Sequence, residues 1–163
     1  RGDGLFFCTQ NVDDLHEKGG AAEVVHMHGE LSKLRCESCG WIDLWFEDCF
    51  PDTPCPRCAR PGGLRPDVVW FGGTPHALDA IYEAVSAADL FVAIGTSGAV
   101  YPAASLVTEA RRHGARAVEI NLQPSDNTLA FHDVRYGPAT ETVIPQARSQ
   151  RRESTDTRST GKR

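Results

Sequence analysis

The sequence predicts an α/β protein: a doubly wound parallel sheet with one small inserted module. Three observations carry that expectation. After Pro66, short apolar runs alternate with segments of helical spacing in the order strand, helix, strand, helix, strand. This order implies right-handed crossovers and parallel strands. Leu34 to Pro66 breaks the pattern with clustered cysteines and prolines and little periodicity, and it is too short to build its own core. The length of 163 residues, 40% hydrophobic and 24% charged, fits roughly one globular domain.

Along the chain, Leu5 to Cys8 is a short apolar run that reads as a buried strand. It begins almost at the first residue, which is not Met, so the expectation is a fragment with at least one βα unit upstream. Val12 to Gly20 has early acidic residues and a final Gly-Gly, which suits a short helix with a glycine stop. Val68 to Phe71 reads as a strand, and 74–88 as a helix with Leu78, Ile81 and Val85 on one face. The run 89–95, DLFVAIG, has the apolar continuity of a central parallel strand. A helix over 102–114 starts at Pro102 and closes on basic residues and Gly114, and ARAVEIN (115–121) is the next strand. From Gln146 onward apolar residues almost vanish, which predicts a disordered tail over 146–163.

Charge narrows the partners. The last eighteen residues carry six basic and two acidic side chains, leaving 11 basic and 20 acidic in the rest. A folded part this acidic argues against direct nucleic-acid binding. No run approaches the roughly 18 apolar residues of a membrane span, and the first residues lack the order of a signal peptide. A soluble, non-exported, cytoplasmic chain without membrane partners is expected.

Four cysteines stand as Cys36-x2-Cys39 and Cys55-x2-Cys58, with fifteen residues between the pairs, which is a zinc spacing. Four thiolates leave no position for water or substrate, so one structural Zn2+ is expected rather than a catalytic one. Reduced pairs or disulfides without metal are the alternative. A nucleic-acid-binding zinc ribbon is opposed by Glu37, Asp43, Glu47, Asp48 and Asp52 against Arg57 alone between Cys36 and Cys58. Cys8 reads as a small core residue.

Thr9-Gln10-Asn11-Val12-Asp13 lies between a strand and a helix, where ligand contact and helix capping are both open. His26-Met27-His28-Gly29-Glu30 precedes the cysteines; two histidines suggest a metal pair, but no third ligand is near. Gly95-Thr96-Ser97-Gly98 links a strand to a helix, where small residues let amides approach a phosphate or merely pack.

Taken together, TQNVDDLH, HMHGEL, the paired CxxC motifs, RPDVVWFG, GTSGAVYPAA and INLQPS occur in the order and spacing of one family. The sequence resembles the sirtuins, NAD-dependent protein lysine deacylases, and is most similar to the bacterial class III-like branch from about Leu5 to Pro145. The resemblance implies a Rossmann-like NAD-binding domain (residues 1–31 and 67–145) with an inserted zinc-binding module (32–66). It implies NAD as co-substrate and acylated-lysine proteins as substrates, with nicotinamide, O-acyl-ADP-ribose and free lysine as products. His28 matches the general base, with Asn11 beside it in the chemistry. Gln10, Asn11, Val12 and Asp13 match cofactor contacts, as do Gly95, Thr96, Ser97, Asn121, Leu122, Gln123 and Ala139. Val69, Trp70, Phe71 and Gly72 match a strand that pairs with substrate backbone, with Val100, Tyr101 and Pro102 on the peptide's other side.

The sequence departs from the family at three places. FGE is here Phe71-Gly72-Gly73, and LHxRAG is Leu15-His16-Glu17-Lys18-Gly19-Gly20. The GAGxS phosphate loop and the Tyr-x-x-Arg pair for acidic acyl groups do not occur, and their places in the family order fall before Arg1. Without that loop the chain by itself is expected not to turn over. The competing reading is a truncated, non-catalytic zinc-containing binding module.

Overall fold

The computed structural model describes residues 4–143, so the tail expected from Gln146 lies outside the described residues. The chain divides into two compact units, Arg1–Ile81 and Tyr82–Arg163.

In the first unit, β1 (Cys8–Thr9) runs parallel to β2 (Val25–His26), with Cys8 opposite Val25 and Thr9 opposite His26. Main-chain bonds from Val25 N to Phe7 O (2.8 Å) and Met27 N to Thr9 O (3.1 Å) extend the ladder. The strand expected at Leu5 therefore starts at Cys8 instead, and Leu5 is 83% exposed. The ladder to β2 is too short to cover Leu5 and Phe6, and among the described residues no second strand flanks them. Burial pushes the Cys8 thiol up to about 11, against the Met27 amide that favours its thiolate. Between the strands, α1 (Leu15–Lys18) is shorter than its sequence signal, with Asp13 Oδ1 accepting the Leu15 N–H at 3.1 Å.

The segment expected to be loop-rich holds an antiparallel sheet. β3 (Gly29–Cys36) lies between β4 (Ile42–Leu44) and β5 (Leu64–Val68). Arg35 faces Ile42 on one side and Arg65 on the other, with a register shift between Glu30 and Leu34. The strands hid in the sequence because β4 is three exposed residues and β5 carries Pro66, which cannot donate to a ladder. β5 also ends at Val68, short of the expected Phe71. Val69 N still bonds His28 O at 2.9 Å, but Gly73 N then returns to Trp70 O at 2.8 Å and closes a tight turn. Gly72 takes the left-handed conformation this turn needs (φ +83°). Helix α2 (Leu78–Ser86) follows, burying Ile81 and Val85 at the expected spacing.

The second unit is a parallel sheet in the order β6 (Leu90–Ile94), β7 (Arg116–Asn121), β8 (Asp133–Tyr136). Helix α3 (Leu106–Arg112) makes the crossover from β6 to β7 and buries Leu106, Val107 and Ala110. β7 is the central strand, with Ala117, Val118, Glu119 and Ile120 all buried. Burying a side chain such as Val118 or Ile120 stabilises by about 1.5–3 kcal/mol. β6, expected at the centre, is instead an edge of the described sheet, and Leu90, Val92 and Ile94 alternate outward, partly exposed. No helix among the described residues is long and apolar enough to cross a membrane.

Candidate functional site

In the first unit, β2 and the residues after it present two histidines in different chemical settings. His26 is buried, its Nδ1 3.2 Å from Asn11 O and its Nε2 2.8 Å from Glu17 Oε1. Both partners only accept, so the ring serves both as the doubly protonated cation. Burial opposes that charge, yet the Glu17 carboxylate and the Asn11 carbonyl outweigh it and raise the His26 pKa, while the His26 hydrogen bond lowers that of Glu17. His26 is thus a clamp between α1 and β2.

His28 is half-buried, and its Nδ1 lies 3.1 Å from Gln10 O. A carbonyl accepts only, so Nδ1 carries the proton and the neutral ring offers its lone pair at Nε2. That is the tautomer a general base needs. Gly29 lets β5 come close behind it: φ is +81°, and a Cβ there would lie 1.8 Å from Asp67 O.

Gln10 is half-buried and Asn11 exposed, with the Asn11 N–H bonded to Thr9 Oγ1 at 3.1 Å. The backbone carbonyls of Gln10, Asn11 and Val12 each receive a bond from the 26–31 segment, so the TQNVD turn and the histidine segment are one assembly. Asp13 caps the Leu15 N–H, the commoner role for such a residue. Of the residues expected to receive a peptide, Val69 continues from β5, whereas Trp70, Phe71 and Gly72 sit in the turn, with Phe71 fully exposed.

The four sulfurs of Cys36, Cys39, Cys55 and Cys58 lie within 4.8 Å of one another. Cys36 to Cys58 and Cys39 to Cys55 are each 3.8 Å. A tetrahedron's edge is roughly 1.6 times its centre-to-corner distance, so Zn–S bonds of about 2.3 Å demand S···S of about 3.8 Å. The residues fit the metal. Burial raises the Cys36 thiol, but amides of Cys39 and Ser38 and the neighbouring sulfurs bring it down to about 7. The Trp41 amide favours a Cys39 thiolate, but burial and the crowding sulfurs push that thiol up to about 11.

In the second unit, the carboxyl ends of β6 and β7 meet. Gly95 has φ +63° with open space where a Cβ would be. Ser97 Oγ accepts the Ala99 N–H at 3.3 Å, which leaves its O–H to donate. Asn121 Nδ2 donates to Thr96 O at 2.7 Å, joining the two strand ends. Leu122 and Gln123 follow on the exposed rim, and Gly137 N bonds Asn121 O at 2.9 Å, bringing Ala139 toward the same end of the sheet. Val100 and Tyr101 are exposed before the cis Tyr101–Pro102 bond. The Ser97 hydroxyl and the open glycine suit a dinucleotide's phosphates, while the Gly95 N–H stays bonded to Ile120 O at 3.0 Å.

The sequence profile of the Sir2 family matches residues 1–102. The chain belongs to the Sir2 family. It is 59% identical over 145 residues to an NAD-dependent protein deacylase of Caulobacter vibrioides, covering 88% of this chain and 60% of that protein. Among solved structures, a Sir2 homologue in complex with NAD superposes with a TM-score of 0.81 at 36% identity, over 91% of this chain and 59% of that one. A second, Sir2Af2 bound to a myristoylated histone peptide, gives 0.68 at 28% identity, over 88% of this chain and 66% of that one. The chain thus spans 52–60% of the length of these curated relatives.

Some residues that shape this Sir2 site escaped sequence reading. Glu17 was visible only as a helix residue, and its bond to His26 joins positions nine apart. Asp67 Oδ1 and His76 Nε2, 3.7 Å apart in the first unit, are buried without a hydrogen bond of normal geometry. Glu119 looked like one polar residue in an apolar strand, and it is fully buried.

Proposed function

We propose that the chain is part of a cytoplasmic NAD-dependent protein-lysine deacylase acting on acylated-lysine proteins. The observation that carries this is His28: its Nδ1 is committed to Gln10 O, its Nε2 is the basic atom, and its carbonyl bonds Val69 at the start of the segment expected to meet the peptide. NAD, when bound, supplies an electrophilic ribose carbon that accepts the acyl oxygen as nicotinamide leaves. His28 Nε2 takes a proton from a ribose hydroxyl, and the Gln10 carbonyl stabilises the imidazolium that forms. Gln10, Asn11, Val12 and Asp13 hold the nicotinamide side, while Gly95, Thr96, Ser97, Asn121, Leu122, Gln123 and Ala139 hold the phosphates and adenosine. Val69 to Gly72 and Val100 to Pro102 orient the acyl-lysine peptide. Residues 1–31 and 67–145 make the Rossmann-like domain and 32–66 the zinc module, whose metal supplies rigidity. A truncated, non-catalytic zinc-containing binding module is the alternative, and the deacylase relatives do not favour it.

The test is a graft. Placed over the 145 matching residues of the Caulobacter relative, this chain should support nicotinamide release from NAD with an acyl-lysine peptide. In that graft His28→Ala should lower turnover by about 10²- to 10⁴-fold with ADP-ribose affinity nearly unchanged. Turnover that survives His28→Ala would remove His28 from the mechanism.

A further inference from the structure

Glu119 sits on β7 with 0% exposure, and its charge is met by hydrogen-bond donors. Oε1 accepts the Ser125 N–H at 3.0 Å and faces Asn121 Nδ2 at 3.4 Å. Oε2 accepts the Thr128 hydroxyl, which lies 2.7 Å from the Tyr136 hydroxyl. Burial pushes this carboxyl up, but Ser125, Thr128 and Asn121 outweigh it and hold it below the usual glutamate range. The Ser125 N–H and Asn121 Nδ2 can only donate, so Oε1 must be an acceptor, whereas the Thr128 hydroxyl at Oε2 can donate or accept.

The arrangement decides how Asn121 faces outward. Its nitrogen lies between Thr96 O and Glu119 Oε1, both acceptors, so the amide cannot flip. Its Oδ1 then accepts the Leu122 N–H at 2.9 Å and keeps a second lone pair at the carboxyl end of β7. The return loop is fastened to the same place: Asp126 N bonds Ser97 O at 2.8 Å, and a Cβ on Gly98 would lie 2.1 Å from Asn127 Oδ1. We propose that Glu119 is a positioning residue that fixes the Asn121 amide so that this strand end offers an acceptor to a ribose hydroxyl, beside the Gly95-Thr96-Ser97 turn. The proposal rests on the nucleotide reading above.

The test uses the chain labelled with ¹⁵N and titrated with ADP-ribose to millimolar concentration. In the unmodified chain the Asn121 side-chain NH2 should exchange slowly with solvent, as a group bonded on both protons. Glu119→Leu, which removes the acceptor at Oε1, should shift and speed that signal and weaken ADP-ribose binding by about 10- to 100-fold, the range of one hydrogen bond to a charged group. In an Asn121→Ala background the same change should cost less than about twofold, because Glu119 acts through Asn121. An equal loss in both backgrounds, or unchanged affinity in Glu119→Leu, would overturn the positioning role and leave the nucleotide reading intact. No binding by the unmodified chain would overturn both. If Glu119→Leu does not fold, a rapidly exchanging Asn121 amide in the unmodified chain would overturn the proposal, and a protected one would support it.

Discussion

Replacing Gly29 by alanine tests the closeness of β5 to the histidine segment. At φ +81° an alanine costs about 1–2 kcal/mol for the left-handed conformation alone. The added Cβ would stand 1.8 Å from Asp67 O and 2.8 Å from Asp67 C, both main chain, so no side-chain rotation relieves it. Moving β5 away adds about 1–3 kcal/mol of backbone adjustment and about 1 kcal/mol for a weakened ladder bond such as Val69 N to His28 O. The sum is about 3–6 kcal/mol, a large share of a typical domain's stability. Gly114 is the control, since its φ is +91° and a Cβ there meets nothing within 4 Å, so Gly114→Ala carries only the conformational cost. Urea unfolding followed by Trp41 and Trp45 fluorescence should show the Gly29→Ala midpoint lowered by about 1 M or more, given slopes of about 1–3 kcal/mol per M. A midpoint shift no larger than that of Gly114→Ala in its own unit would show that the close approach does not exist.

Zinc should copurify at one equivalent per chain, and Cys36→Ser or Cys58→Ser should lose the metal and the β3–β5 sheet, read by metal analysis and circular dichroism. The His26–Glu17 pair should make stability depend on pH with a defined sign. The His26 contribution is full below its ordinary 6.5 and fades as pH rises through its raised folded pKa. The Glu17 contribution is full above its ordinary 4.5 and fades as pH falls through its lowered folded pKa. The pair therefore supports the fold most between pH 4.5 and 6.5, and Glu17→Gln should flatten thermal melting profiles across that window; an unchanged profile would dissolve the clamp. The partly exposed, apolar outward face of β6 should make the chain self-associate, and Val92→Lys should lower the apparent mass in light scattering.

What could be read in advance depended on how locally each feature is encoded. The zinc ligands were legible because two CxxC pairs fix their geometry by spacing alone, and the sulfurs do stand at tetrahedral distances. Strand β7 and helix α3 were legible because an apolar run and a helical period survive in single sequences. β4 and β5 were not, since three exposed residues and a proline-bearing strand take their conformation from β3. DLFVAIG was read correctly as a strand, but its edge place in the described sheet was not legible, because apolar continuity reports capacity for burial on both faces, not the presence of neighbours. At the site, HMHG named the histidines, but only the partners of each ring separated a cationic clamp from a base. Glu119 was invisible as a hub because its donors come from residues two to seventeen positions away.

The metal cluster also changes what the sequence between its two halves must do. Once Cys39 and Cys55 are joined through one ion, the residues between them need no contacts of their own to bring their ends together. The chain-closure entropy is met by the metal, and it grows only slowly with loop length. Phe46 and Phe50 stand in solvent there among Glu47, Asp48 and Asp52, adding little to the core. Beyond β4, the exposed stretch 46–52 can consequently change in length without disturbing the histidine segment, which is built on the opposite end of β3.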